Sequence, residues 1–122
     1  MRLVIEGKVP SKKNARNIFV RNGRIVNVPS VRYKEWRDSA IVQLKQQFGG
    51  YKVSGYPIGL DVVIYYGDMR RHDIDNALGS IMDALTDAQI IEDDDTEHVS
   101  SISVQFGGVD KEHPRCEIFL ED

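Results

Sequence analysis

Arg70-Arg71-His72-Asp73-Ile74-Asp75-Asn76 stands where the chain changes its hydrophobic period. Before it, Ile58, Leu60, Val62, Ile64 and Tyr66 alternate with other residues, the two-residue period of a strand with one buried face. After it, Ile74, Ala77, Leu78, Ile81, Leu85 and Ala88 recur at the period of a helix. A strand leading through a charged loop into a helix makes the fold class α/β. Asp73 and Asp75 fall on that junction, where side chains two apart in extended backbone point the same way. Crowded carboxylates repel one another unless a hard cation such as Mg²⁺ neutralises them. The arginines beside them suit a phosphate approaching that cation.

Working towards the N-terminus, Ser30 after Pro29 is a plausible N-cap. The helix it starts carries Tyr33, Trp36, Ala40, Ile41, Leu44 and Phe48 as a core stripe, and Gly49-Gly50 closes it. Ile18 to Val20 and Arg24 to Val28 flank Arg21-Asn22-Gly23, whose Asn-Gly pair predicts a tight β-hairpin. Arg2 to Val9 alternates as a first strand, ended by Pro10-Ser11 and a basic loop, Lys12 to Asn17. Towards the C-terminus, Asp75 is placed to cap the second helix. Glu92-Asp93-Asp94-Asp95 precedes a strand from His98 to Phe106, Gly107-Gly108 is expected to turn the chain, and Arg115 to Leu120 forms the last strand. The order β-(ββ)-α-β-α-β-β predicts a small mixed β-sheet packed by two main helices, α/β in the broad sense and α+β in detail, as one domain over 1–122.

The 122 residues suffice for one core, and 41% hydrophobic with 29% charged residues describes a globular chain. No apolar run approaches the roughly 20 residues of a membrane span, and the N-terminus lacks a signal-peptide core. The cytoplasm is the expected location. Cys116, the one cysteine, excludes an internal disulfide and is expected in the core. The net charge of −3 conceals polarity: residues 1–37 hold ten Lys/Arg against Glu6 and Glu35, +8, which leaves −11 for the rest. A basic segment joined to an acidic site suits an enzyme that grips a polyanion and cuts it with metal. The plainer alternative is two solvated faces.

Asp-x-Asp alone is weak, since Asp73 and Asp75 would also serve as competing helix caps. The combination with Asp93-Asp94 after the helix carries more. Arg70-Arg71-His72-Asp73-Ile74-Asp75-Asn76, then Asp83-Ala84-Leu85, then Asp93-Asp94, resembles the pattern of RusA-type Holliday-junction resolvases. Pro10-Ser11-Lys12-Lys13-Asn14 is similar to that family's Pro-Ser-x-Asn loop, and the resemblance spans nearly the whole chain. It implies a homodimeric crossover junction endodeoxyribonuclease acting on four-way DNA in recombination and repair. Its cofactor would be Mg²⁺, with Mn²⁺ as a substitute, and its products symmetric nicks with 5′-phosphate and 3′-hydroxyl ends. Asp73, Asp75 and Asp94 would be catalytic metal ligands, with Asp93 beside them. Lys12, Lys13, Asn14, Arg16, Arg70, Arg71 and Asn76 would hold DNA. One departure stands out: Gly79 occupies a position where a family member has lysine, and Lys12, Lys13 or Arg71 would have to supply that charge. Rival readings are a metal-dependent nuclease or phosphohydrolase acting on flaps, single strands or nucleotides, and a DNA-binding dimer without catalysis. For the dimer contact, the Trp36 helix and the Arg21-Asn22-Gly23 ribbon are the candidate surfaces.

Overall fold

The computed structural model describes residues 1–14, 16–51, 53 and 55–121, with the Asn14 side chain outside that description. In chain order the elements are β1 (Arg2–Glu6), a 3₁₀ turn (Lys12–Asn14), β2 (Arg16–Arg21), β3 (Arg24–Pro29) and α1 (Val31–Phe48). β4 (Ile58–Tyr66), α2 (Ile74–Asp87), β5 (Val99–Val109) and β6 (Arg115–Glu121) follow. This is the predicted order.

Four strands form a mixed sheet, β1-β6-β4-β5, in which only β4 and β5 run parallel; β2 and β3 form a separate ribbon. The parallel pair is the physical consequence of α2, because a helical crossover returns the chain to the edge where β4 began. Ile58, Leu60, Val62, Ile64 and Tyr66 of β4 are buried under the helices, together with Leu3, Ile5, Cys116 and Ile118 of the neighbouring strands. Burial pushes the Cys116 thiol up to about 12, which marks it as inert packing. Ser30 caps α1 as expected, its Oγ accepting the Tyr33 N–H at 3.2 Å. Asn22 and Gly23 both have positive φ, 53° and 74°, as the hairpin requires. Among the described residues, no helix is long and apolar enough to cross a membrane.

Two boundaries differ from expectation. β1 stops at Glu6, because Gly7 turns at φ 111° and gives its N–H to the Pro114 carbonyl. Gly107-Gly108 does not turn the chain; β5 runs through it to Val109. A Cβ on Gly107 would lie 2.6 Å from Val63 and 2.7 Å from Tyr65, so glycine there serves close strand approach. The turn comes after it, where Asp110 accepts the His113 N–H.

Candidate active site

Asp73 sits at the N-cap position of α2, in extended backbone, yet its side chain makes no capping hydrogen bond. Asp75 lies in the first turn, so it is not the cap that its sequence position implies. Both carboxylates are exposed, and Asp73 Oδ2 meets only the Asn76 amide, at 3.4 Å. The competing-cap reading is therefore not what the side chains do.

The basic loop reaches this helix end by lying across α2. Ser80, fully buried, donates its hydroxyl to the Pro10 carbonyl at 2.7 Å. The Lys12 stem crosses Gly79, where an added Cβ would stand 3.0 Å from Cδ and 3.3 Å from Cβ of the lysine. Its ammonium ends on Asp83 at 3.2 Å, and the Tyr33 hydroxyl donates to the same carboxylate at 3.1 Å. Burial, then the Asp83 charge, raises the Tyr33 phenol to about 12, so it stays a donor. With Lys12 fastened there, Lys13 joins Ser11, Arg71, His72 and Asp73 around a cavity of about 280 Å³. Two adjacent lysines thus have different surroundings: one straps the loop, the other lines the cavity that Asp73 also lines.

His72 forms a fixed wall. Its ring stacks on Tyr66 at 3.7 Å and 5°, and its Nε2 meets Asp68 Oδ1 at 2.9 Å. Asp68 also accepts the Arg70 N–H at 3.0 Å, and these bonds, His72 first, hold its carboxyl below the usual range.

The second acidic group is elsewhere. Asp93, Asp94 and Asp95 follow α2 and precede β5, whose Val99 pairs with Ile58 at the opening of β4. Asp73 follows the other end of β4. The 14 residues of α2 span about 21 Å at 1.5 Å per residue, so the two acidic groups flank opposite ends of the helix. Among the described residues, no three His, Cys, Asp or Glu gather closely enough to hold a metal. Around the loop, His98 joins both neighbours: Nδ1 meets Asp95 Oδ1 at 2.6 Å and Nε2 meets Glu92 Oε2 at 3.3 Å. Asp95 also accepts the Glu97 and His98 N–H groups, while Asp93 Oδ1 accepts the Asp94 N–H at 2.8 Å. The flanks are tied down, and the Asp93 and Asp94 carboxylates face solvent.

The family profile described as "Endodeoxyribonuclease RusA" matches residues 8–121. The chain belongs to the RusA endodeoxyribonuclease family. A relative, "Crossover junction endodeoxyribonuclease RusA" of Aquifex aeolicus (strain VF5), is 33% identical over 87 residues, 71% of this chain and 67% of its own length. By family this is a DNA-hydrolysing enzyme, and the matched span takes in both acidic groups.

The other expected residues of this RusA-family chain are distributed unevenly. Arg70 and Arg71 are exposed beside Asp73, and Asn76 is on its carboxylate. Arg16 is spent inside the ribbon, bonded to Asn27 at 2.8 Å. The Asn14 side chain lies outside the described residues. Sequence reasoning missed Ser11 and the His98 clamp. Asp95-x-x-His98, an acid and a histidine one turn apart, was the available signal for the clamp.

Proposed function

We propose that the protein resolves four-way DNA junctions as a divalent-metal-dependent endonuclease, by paired symmetric nicks that leave 5′-phosphate and 3′-hydroxyl ends. One observation carries this reading. Asp73 occupies a cap position without capping, its exposed carboxylate held only by a long 3.4 Å bond from Asn76 among the described residues, in a cavity lined also by Lys13 and Arg71. A carboxylate withheld from its structural task beside two cations suits a metal and a phosphate together. The junction substrate is supported by the printed name of the Aquifex aeolicus relative.

The donor set fits Mg²⁺, which is commonly bound by one or two carboxylates with waters and substrate phosphate completing the shell. Asp73 and Asp75 are the residues that would hold it, and Mn²⁺ accepts the same oxygen donors. When bound, the metal supplies Lewis-acid stabilisation of the phosphodiester and a more acidic water. The protein's part is to orient: Arg71 and Lys13 bind the phosphate oxygens, and His72, locked between Tyr66 and Asp68, keeps the cavity wall in place. Arg70 and Arg71 add sequence-independent grip, leaving junction shape to set selectivity.

Asp93 and Asp94 join this site only across a homodimer. A two-fold axis perpendicular to α2 and passing beside its middle would run the two helices antiparallel and bring Asp94 of the partner subunit towards Asp73 and Asp75. The flank beside α2 supports such a contact, because edge strand β5 exposes Ile102 at 42% and Phe106 at 56%. Of the surfaces expected from sequence, the Trp36 helix buries Trp36 itself but exposes Val31 and Val42, and the ribbon exposes Ile18, Val20 and Ile25, so both remain alternative contacts.

The test is cleavage of a synthetic four-way junction with Mg²⁺, set against linear duplex and flap DNA. The expected result is symmetric nicks in the junction alone, sealed by DNA ligase. Equal cutting of flaps or duplex would favour a different nuclease, and binding without cutting a DNA-binding dimer.

A further inference from the structure

A second arm of the cleft adjoins the Asp73 cavity, sharing Val9, Ser11 and His72 with it. Its volume is about 620 Å³, and Lys8, Arg32 and Arg70 line it with no carboxylate in its wall. Lys8 reaches Asp68 only loosely, at 3.6 Å, and among the described residues neither the Arg32 nor the Arg70 guanidinium has a carboxylate partner. Three cations with little compensation are arranged for an anion.

Trp36 gives an independent sign. It lines the same arm, it is 92% buried by its 8% exposure, and its indole Nε1–H has no hydrogen-bond partner. It is the one such buried side-chain atom among the described residues. Buried donors are paired as a rule, so an orphan in a cleft wall calls for an acceptor that comes from outside the chain. Ser30 and Arg32, at the start of the 18-residue α1, bring the positive end of that helix to the same place.

We infer that this arm is a subsite for the backbone phosphate next to the scissile one on the cleaved strand. Arg32, Lys8 and Arg70 bind its oxygens, and the Trp36 N–H donates to it once the indole shifts to open its buried edge. A base is excluded as occupant, because the indole is buried and offers no open face for stacking. The inference rests on the nuclease reading above: Val9, Ser11 and His72, common to both walls, make the two cavities adjoining stretches of one cleft.

Trp36 is the sole tryptophan, so its fluorescence reports on the arm directly. The full-length protein is titrated in EDTA with a synthetic four-way junction at several salt concentrations, as wild type, Arg32→Ala and Trp36→Phe. Arg32 is exposed, so its replacement leaves the fold intact, and circular dichroism melts check both variants. The expected results are a change in Trp36 emission at saturation and an Arg32→Ala salt slope reduced by about one. Trp36→Phe, which also removes some core packing, should weaken binding several-fold at a temperature where its melt shows the variant fully folded. Unaltered emission at saturation, or an Arg32→Ala slope equal to wild type, would overturn the subsite. Wild-type protein that gives these binding changes but never nicks the junction with Mg²⁺ would uphold the phosphate subsite and sink the nuclease reading.

Discussion

The proposed chemistry rests on Asp73 and Lys13, and each has a neighbour of the same type with different surroundings. Because Asp73 makes no cap bond, Asp73→Asn should change stability by no more than about 0.5 kcal/mol, within the range of surface substitutions. The same change removes the charge that holds Mg²⁺, so nicking should fall by at least about 100-fold. Parallel melts and cleavage rates check this, and a destabilised but active variant would return Asp73 to a capping role. Lys12 and Lys13 should separate cleanly. Lys12→Ala loses a half-exposed ion pair to Asp83, about 0.2–1 kcal/mol of stability, with modest loss of cleavage. Lys13→Ala should leave the melting temperature unchanged and cut the nicking rate about 10-fold or more, the scale of a lost transition-state charge contact. Equal effects of the two would mean the loop acts only as a general phosphate grip. Nothing in Pro-Ser-Lys-Lys-Asn distinguishes these lysines. The distinction depends on the bare helix surface at Gly79, some 65 residues away, where the Lys12 stem lies.

Among the elements, the order of strands and helices was legible because β4 and α2 keep clean periods of two and 3.6 residues, and Asn22-Gly23 and Ser30 have unambiguous turn and cap chemistry. Gly107-Gly108 was misread because a glycine pair signals a turn locally, whereas here the missing side chain lets β5 pass Val63 and Tyr65. The acidic loop was legible as a cluster but not as a built element, since its shape depends on His98. The Asp95 carboxylate, and more weakly Glu92, bonds that ring and raises its pKa above the ordinary 6.5. The Asp95 carboxyl is held below its ordinary 3.8, chiefly by the same bond. The signs follow directly. A raised histidine pKa gives stability that is full below 6.5 and is lost as pH rises through the folded-state value. The lowered Asp95 gives stability present above 3.8 and lost as pH falls through its folded-state value. The clamp is therefore tightest in mildly acid solution. His98→Asn should lower the melting temperature most at about pH 5–6, with the gap narrowing as pH rises past 6.5 through the folded-state value and the wild-type ring deprotonates. A difference that stays constant across this range would mean that the ring acts by packing on Tyr56 alone.

At the scale of the molecule, the two acidic groups lie beyond opposite ends of α2. The helix between them was readable from its period, and the pairing of Val99 with Ile58 at the far end of β4 keeps the second group away from Asp73, with no three-acid cluster among the described residues. What the sequence could not convey is the proposed partner surface, because Ile102 and Phe106 read as ordinary core positions of a strand until β5 proves to be the sheet edge. A four-way junction has two-fold symmetry, and paired nicks require two sites, so the proposed C₂ dimer would serve both the substrate and the assembly of each site. Sedimentation at micromolar concentration should give a dimer, and Phe106→Glu should shift it towards monomer with loss of cleavage. A dimer unaffected by Phe106→Glu would move the contact to the β2–β3 ribbon or the Trp36 helix. The most direct measurement mixes two inactive proteins, Asp73→Asn/Asp75→Asn and Asp94→Asn, under conditions that exchange subunits, and assays junction nicking with Mg²⁺. In the mixed dimer one site regains Asp73 and Asp75 from one chain and Asp94 from the other, so single-strand nicking should return to about half the wild-type rate per mixed dimer. Mixtures as inactive as their parents, with subunit exchange demonstrated, would contradict a site shared between chains.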